Sequence, residues 1–388
     1  MNKKMYVIFL LVLGLCLIVG CATNTSSNNG ETIRVGLNYE LSGSVATYGQ
    51  GLTEGIELAV EEINNSGGVL GKQLELIKLD NKSEDTESAN IATRLATRDN
   101  VVAILGAATS GNTKAAIPAA MANKIPIISG SATADDITMD SDGNIREYVF
   151  KTCFSDSYQG IVMAEFATND LGIKKVAILA DSTSDYAKGL SKSFKETFEK
   201  YGGKILIEEA YKSKDTDFKA VLTSIKSVNP DAIFIPGYYE EVGLIVRQAR
   251  ELGLDVPILG GDGYESPKFA EISGKEAANN VFYSNHYSPM DDSEEVVGFR
   301  ERFKKKYNKE PNGFNALGYD LAYLLKDALE RAEEANPEKL KKALESTKDF
   351  KGVTGTITID ENHNPIKSTT IIELKDGVPV FLKKLDPK

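Results

Sequence analysis

Tryptophan is absent from this chain of 388 residues, histidine occurs twice and cysteine three times. Each scarcity removes a class of chemistry. Cys16 and Cys21 belong to the N-terminal apolar segment and its end, so Cys153 stands alone in the remainder and cannot form an internal disulfide. His286 and His363 lie far apart in the chain, with no Cys-x-x-Cys pair or histidine cluster, and supply no zinc-ligand spacing. No metal and no cofactor is expected. Nucleophilic catalysis is equally short of parts. Gly-x-Ser-x-Gly does not occur, no histidine neighbours Cys153 in the chain, and Asp135-Asp136 and Asp291-Asp292 read as solvated loop acids. Distant carboxylates could still be assembled into a glycosidase pair, but the inventory points away from an enzyme. Basic residues are in deficit: 45 Lys and Arg against 56 Asp and Glu give a formal charge of −11, with no basic stripe. That argues against nucleic acid, whose binding requires clustered cations to displace counterions.

The apolar run at residues 5–19 follows Lys3 and Lys4 and ends at Gly20-Cys21. It falls short of the roughly 20 apolar residues that span a hydrocarbon core, and its order of positive charge, apolar stretch and small residue is that of an export signal. Ile18-Val19-Gly20-Cys21 resembles the lipobox of bacterial lipoproteins, although that motif more often has Leu in place of Ile18 and Ala or Ser in place of Val19. The resemblance implies removal of residues 1–20, acylation of the Cys21 thiol and an extracytoplasmic protein anchored to the membrane by lipid. A plain secretory signal with an incidental cysteine is the alternative. Residues 21–30 continue as a polar stretch too poor in apolar groups to offset the entropy of ordering, and read as a flexible tether. Loss of the two signal lysines takes the formal charge from −11 to −13.

About 358 residues remain beyond the tether, roughly twice a usual domain, so two lobes are expected. Short β-branched runs alternate with helical patterns, the sign of an α/β fold with mainly parallel sheets covered by helices. Strands are expected at 32–37, 74–79, 101–105, 126–129, 175–179, 205–209, 232–236, 257–259 and 281–284, with terminal strands at 356–359, 368–374 and 380–385. The segment 51–64 shows the helical counterpart: Leu52, Ile56, Ala59, Val60 and Ile63 recur on one face, and Glu54, Glu57, Glu61 and Glu62 occupy the other. No internal repeat is present, and no helix-turn-helix segment precedes the first strand, which disfavours a DNA-binding regulator.

Several segments in order carry a family resemblance: Leu41-Ser42-Gly43 with Tyr48-Gly49; Glu61-Glu62-Ile63-Asn64 with Gly67-Gly68 and Gly71; Leu105-Gly106 followed by Ser110; Ser129 to Thr133; Asp156 with Gln159-Gly160; Asp185-Tyr186 with Gly189-Leu190; Gly237 to Gly243 with Arg247-Gln248-Ala249; and Gly260-Gly261-Asp262-Gly263. Together they resemble the branched-chain amino acid binding proteins of the type I periplasmic-binding fold. The resemblance implies two Rossmann-like lobes joined by three crossings, near Thr152, Asn285 and Asp360. One lobe would comprise 31–152 plus 286–360, the other 153–285 plus 361–388. It also implies capture of an amino acid in the interlobe cleft by a monomer that serves ABC permease and ATPase subunits.

A zwitterionic ligand needs donors for its carboxylate and an anion for its ammonium, because both charges lose water when the cleft closes. Ser110 opens a helical stretch after a strand, where its hydroxyl and the first backbone N–H groups can hold an anion; a simple N-cap is the plain alternative. The resemblance places Ser131 and Thr133 beside it at the ligand termini, with Ser131 where relatives often have Ala. Asp262, between glycines after a strand and where relatives often have Glu, is expected to meet the ammonium, with turn chemistry as the alternative. Tyr48, Tyr186 and Tyr238 match aromatics that close over the ligand, Asp156 matches a second-lobe carboxylate, and Phe314 and Asn315 are expected to line the side-chain pocket. A receptor of the same fold tuned to an amide, urea or an aromatic acid is the competing reading.

Overall fold

A computed structural model describes residues 32–386; the expected signal segment, Cys21 and the expected tether lie outside the described residues. Fifteen strands alternate with helices in this segment: β1 (Ile33–Tyr39), β2 (Leu74–Asp80), β3 (Ala103–Gly106), β4 (Ile127–Ser129), β5 (Val149–Lys151), β6 (Lys175–Asp181), β7 (Lys204–Tyr211), β8 (Ala232–Phe234), β9 (Ile258–Gly260), β10 (Val281–Asn285), β11 (Phe350–Gly352), β12 (Gly355–Ile359), β13 (Pro365–Ile366), β14 (Thr369–Lys375) and β15 (Val378–Leu385). The first five form a parallel sheet in the order β2-β1-β3-β4-β5. A second sheet runs β15-β14-β10-β9-β8-β6-β7, parallel from β10 to β7 and antiparallel at β14 and β15. The parallel stretch β7-β6-β8-β9-β10 therefore repeats the winding of the first sheet. In such doubly wound sheets a crevice opens at the carboxyl ends of the strands where the winding reverses. That point lies between β1 and β3 in one lobe and between β6 and β8 in the other.

Helix burial follows the expected pattern. In the helix Ala46–Asn65 the predicted apolar residues face the core, while Glu54, Glu57 and Glu62 are half-buried and Glu61 is exposed. This helix begins earlier than expected and packs along Gly313–Ala332. Gly55 and Gly318 make the close approach possible: a Cβ at Gly55 would lie 2.0 Å from the Asn315 carbonyl, and one at Gly318 would lie 2.1 Å from that of Leu52. The expected strand 101–105 begins later, at Ala103, and the helix Asp156–Glu165 passes into a π-helical turn, Phe166–Asp170.

The chain passes between the large sheets three times. The first passage follows β5 through Thr152, and the second follows β10 through His286. β13 still pairs with β12, so the third reaches β14 through Lys367 and Ser368. They are tied together: Lys367 Nζ donates to the Thr152 carbonyl (3.4 Å) and Thr354 Oγ1 (2.6 Å), and the hydroxyls of Thr369 and Thr370 donate to the Asn285 carbonyl. Among the described residues no helix is long and apolar enough to cross a membrane.

The loop after β3 is built on a buried carboxylate. Glu40, at the end of β1, accepts the backbone N–H groups of Ala108 (2.9 Å) and Thr109 (3.1 Å), the Thr109 hydroxyl (2.9 Å) and Asn112 Nδ2 (2.8 Å). Burying a charge is tolerable where donors replace its water.

Two substitutions test this framework. Gly55→Ala should destabilise the protein by about 2 kcal/mol in urea unfolding, because overpacking costs about 1–3 kcal/mol and outweighs the helix preference of about 1 kcal/mol for Ala. Glu40→Gln should cost about 2–3 kcal/mol and speed hydrogen exchange at Ala108 and Thr109, since an amide cannot accept every donor at that position.

Candidate functional site

Side chains of the two sheets meet at the carboxyl ends of their strands. Ser110 follows β3, Ser131 and Thr133 follow β4, Tyr186 follows β6, Tyr238 follows β8 and Asp262 follows β9. With Tyr48 they line one small cavity, completed by Ala108, Thr109, Gly263 and Phe314. Of the predicted ligand residues only Asn315 lines the roomier apolar cleft walled by Phe269, Met290, Val297 and Pro379.

One end of the cavity is rich in donors. Ser110 is the first residue of the helix Ser110–Asn123, whose N-cap residue Thr109 gives no side-chain cap because its hydroxyl is turned back to Glu40. Uncapped N–H groups and the helix dipole favour an anion here. The Ser110 hydroxyl oxygen accepts the Ala134 N–H at 3.2 Å, and the Ser131 hydroxyl donates to the Ala108 carbonyl at 2.8 Å, joining the two loops. Lys151 Nζ underpins them by donating to the Thr133 and Ala134 carbonyls.

The opposite end carries the carboxylate of Asp262, 5 % exposed. Its Oδ2 lies 3.1 Å from His286 Nε2, and its Oδ1 has no hydrogen-bond partner among the described residues. The glycines around it are set by crowding: a Cβ at Gly261 would meet the Tyr186 hydroxyl at 2.5 Å and Gln159 Oε1 at 2.6 Å, and one at Gly263 would meet the Gly237 carbonyl at 2.5 Å. Gln159 Oε1 accepts the Asp262 N–H (3.3 Å) and the Ser284 hydroxyl (2.8 Å), and its Nε2 donates to Asp156 Oδ1 (2.9 Å). Asp156 does not line the cavity. It stands behind the wall as the first residue of its helix without capping it, and burial pushes its carboxyl well above the usual range, with Asp135 and Asp262 adding to the shift.

Aromatic rings close the sides. Tyr48 stacks on Phe314 with ring centroids 4.4 Å apart, and Tyr186 stacks on Tyr238 at 5.2 Å. The Tyr48 hydroxyl reaches from the first lobe to donate to the Gly263 carbonyl and accepts the Tyr239 N–H at 3.3 Å. Further contacts hold the lobes together: Tyr239 donates to the Ser44 carbonyl (2.9 Å), and Lys114 bridges Asp136 (2.5 Å) and Asp185 (2.8 Å). The conformation is closed. Such a cavity suits a small zwitterion with an apolar side chain: cation-seeking at Asp262, anion-seeking at Ser110, apolar between.

Of the pair at the start of the helix Gly313–Ala332, Phe314 lines the cavity but Asn315 does not. Asn315 instead forms a capping box with Asn312 and donates to the Gly51 carbonyl at 2.9 Å. Sequence reasoning passed over Glu40 and His286. Glu40 could have been suspected as an acid ending an apolar strand; nothing local to His286 announces its partner. Cys153 is buried, its Sγ–H directed at the Ala132 carbonyl (3.3 Å), and burial pushes the thiol up to about 12.

A family model described as periplasmic binding protein matches residues 32–378. The leucine-, isoleucine-, valine-, threonine- and alanine-binding protein of Pseudomonas aeruginosa is 30% identical over 334 residues, 85% of this chain and 86% of that one. Among solved structures, the branched-chain amino acid transporter substrate binding protein LivJ of Streptococcus pneumoniae in complex with isoleucine superposes with a TM-score of 0.87 at 40% identity, covering 92% of this chain and 100% of that one. The leucine binding protein LivK of Thermotoga maritima gives 0.87 at 39% identity, covering 92% and 99%. Matched by its family model over most of its length, from residue 32 to residue 378, the chain belongs to the periplasmic binding protein family.

Proposed function

We propose that the protein captures a branched-chain amino acid in this cleft and delivers it to an ABC importer, acting outside the cytoplasm as a monomer. The observation that carries the reading is Asp262 Oδ1, buried and without a partner among the described residues, in the same aromatic-walled cavity as Ser110 and its helix N-terminus. Ser110, Thr133 and the loop at Ser131 take the ligand carboxylate, and Asp262 takes its ammonium. Tyr48, Tyr186, Tyr238 and Phe314 enclose the aliphatic side chain. Asp156 supports the amine end through Gln159. The names of the similar proteins, with isoleucine bound in one, support the choice of side-chain class. The proposal keeps the lobe boundaries near Thr152 and Asn285 and sets the third at Lys367 and Ser368, supported by the pairing of β13 with β12.

Asp262→Asn keeps size and removes charge. Breaking half of a buried ion pair costs about 3–5 kcal/mol, several hundredfold or more in affinity. Calorimetry should therefore show that loss for L-leucine, while its 2-keto acid binds wild type poorly and loses less. Equal binding of keto and amino acid would shift the reading to another solute class, such as an aromatic acid.

The anchor assignment extends the same proposal to Cys21. Intact-mass measurement of protein extracted from membranes should show residues 1–20 removed and acyl mass on Cys21; an unmodified chain would refute it.

A further inference from the structure

The second passage between the lobes brings a histidine against the proposed amine-binding carboxylate. His286 is buried immediately after β10, and its ring stacks on Phe154 of the first passage with centroids 3.6 Å apart and planes 18° apart. Nε2 faces Asp262 Oδ2 at 3.1 Å, and Nδ1 has no partner among the described residues. The backbone N–H of His286 donates to Asn285 Oδ1 at 2.8 Å, which fixes the residue at the chain. A ring clamped in this way can offer the carboxylate only one direction of approach.

We infer that His286 is the positioning residue of the amine centre: its Nε2–H donates to Asp262 Oδ2, locks that side chain and leaves Oδ1 for a ligand ammonium. This rests on the proposed role of Asp262 and adds to it a second determinant of selectivity.

The charge state matters as much as the direction. An imidazolium at this distance would neutralise Asp262 and compete with the ligand's cation. Burial prevents that by holding the imidazole down to about 4, against the raising effect of Asp262 and with Lys367 adding to the lowering. The other titratable groups near the pair are Asp156, Cys153, Glu265, Tyr48, Tyr186 and Tyr238. Above about pH 5 the histidine therefore supplies a hydrogen bond without supplying a charge. As pH falls toward 4 the ring gains a proton and amine binding weakens.

Nitrogen-15 NMR of the ligand-free full chain gives a test independent of any ligand, since only His363 must be distinguished. The expected result is the Nε2–H tautomer of His286; an Nδ1–H tautomer would overturn the inference. Binding of L-leucine and of 4-methyl-2-oxopentanoate is then compared for wild type, His286→Leu and His286→Gln between pH 4 and 7. His286→Leu should lose on the order of tenfold or more in leucine affinity at pH 7, and its preference for amine over keto acid should shrink. His286→Gln, which retains an N–H donor, should recover affinity to within about threefold of wild type and lose weakening specific to the imidazole toward pH 4. A folded Leu variant with undiminished amine preference would overturn the inference, as would a Gln variant as weak as Leu. If the Leu variant fails to fold, the tautomer and the Gln variant's pH profile decide. Should wild type bind no amino acid, the functional reading falls, while the tautomer still tests the contact.

Discussion

A carboxylate enclosed by a closed cleft must regain from the protein or its ligand what it lost from water. The buried acids of this molecule divide on that constraint. Glu40 accepts four donors, Asp320 accepts two backbone N–H groups and the Thr354 hydroxyl, and Glu265 accepts the Tyr283 hydroxyl, Asn285 Nδ2 and the Gly313 N–H. Each is satisfied and organises a turn, a strand connection or a helix start. Asp262 has a single partner, His286, and an oxygen with none among the described residues. The satisfied acids build the scaffold. Asp156 Oδ2 also lacks a partner among the described residues, but Asp156 stands behind the cavity wall, whereas Asp262 lines the cavity and is receptive. An unpartnered oxygen together with a place on the cavity separates a binding acid from a structural one more sharply than burial alone, because all of these residues are nearly inaccessible.

The same constraint explains why the site needs both lobes. Donors for an anion arise from β3 and β4 of one sheet, whereas Asp262 arises from β9 of the other. Repetition of one winding in the two sheets aims both crevices at a shared cleft. The glycines beside Asp262 then let its backbone lie against Tyr186, Gln159 and the Gly237 carbonyl without side-chain interference.

Much of the architecture was legible because alternating β-branched runs and amphipathic helices are local signals of burial. The central strands and the apolar face at Leu52, Ile56, Ala59, Val60 and Ile63 follow from that periodicity. β5, β11 and β13 were not anticipated, since strands as short as Val149–Lys151, Phe350–Gly352 and Pro365–Ile366 carry too little pattern. The early start of the helix Ala46–Asn65 was hidden by Gly49 and Gly51 in its first turns. The residues gathered at the cavity came from ordered resemblance more than from spacing, as Ser110 and Asp262 alone are equally readable as a cap and a turn. His286 was illegible for a different reason: its contact with Asp262 exists only once the second passage and the turn after β9 are folded together.

Closure has its own energetic logic. Contacts that cross the cleft without a ligand, such as Tyr48 with Gly263, Tyr239 with Ser44 and Lys114 with Asp185, already favour the closed arrangement. Each hydrogen bond contributes only about 0.5–1.5 kcal/mol net, and a partly exposed ion pair adds about 0–1 kcal/mol. Opposing them is the cost of enclosing Asp262 with an oxygen unmatched by protein donors. A ligand shifts an equilibrium only through its differential affinity for the two states. An ammonium that meets Asp262 only when the lobes meet supplies that difference at the place where the protein's own contacts leave it wanting. Strengthening the latches would hold the lobes together without ligand, and satisfying Asp262 internally would remove the reason for closure to select an amine.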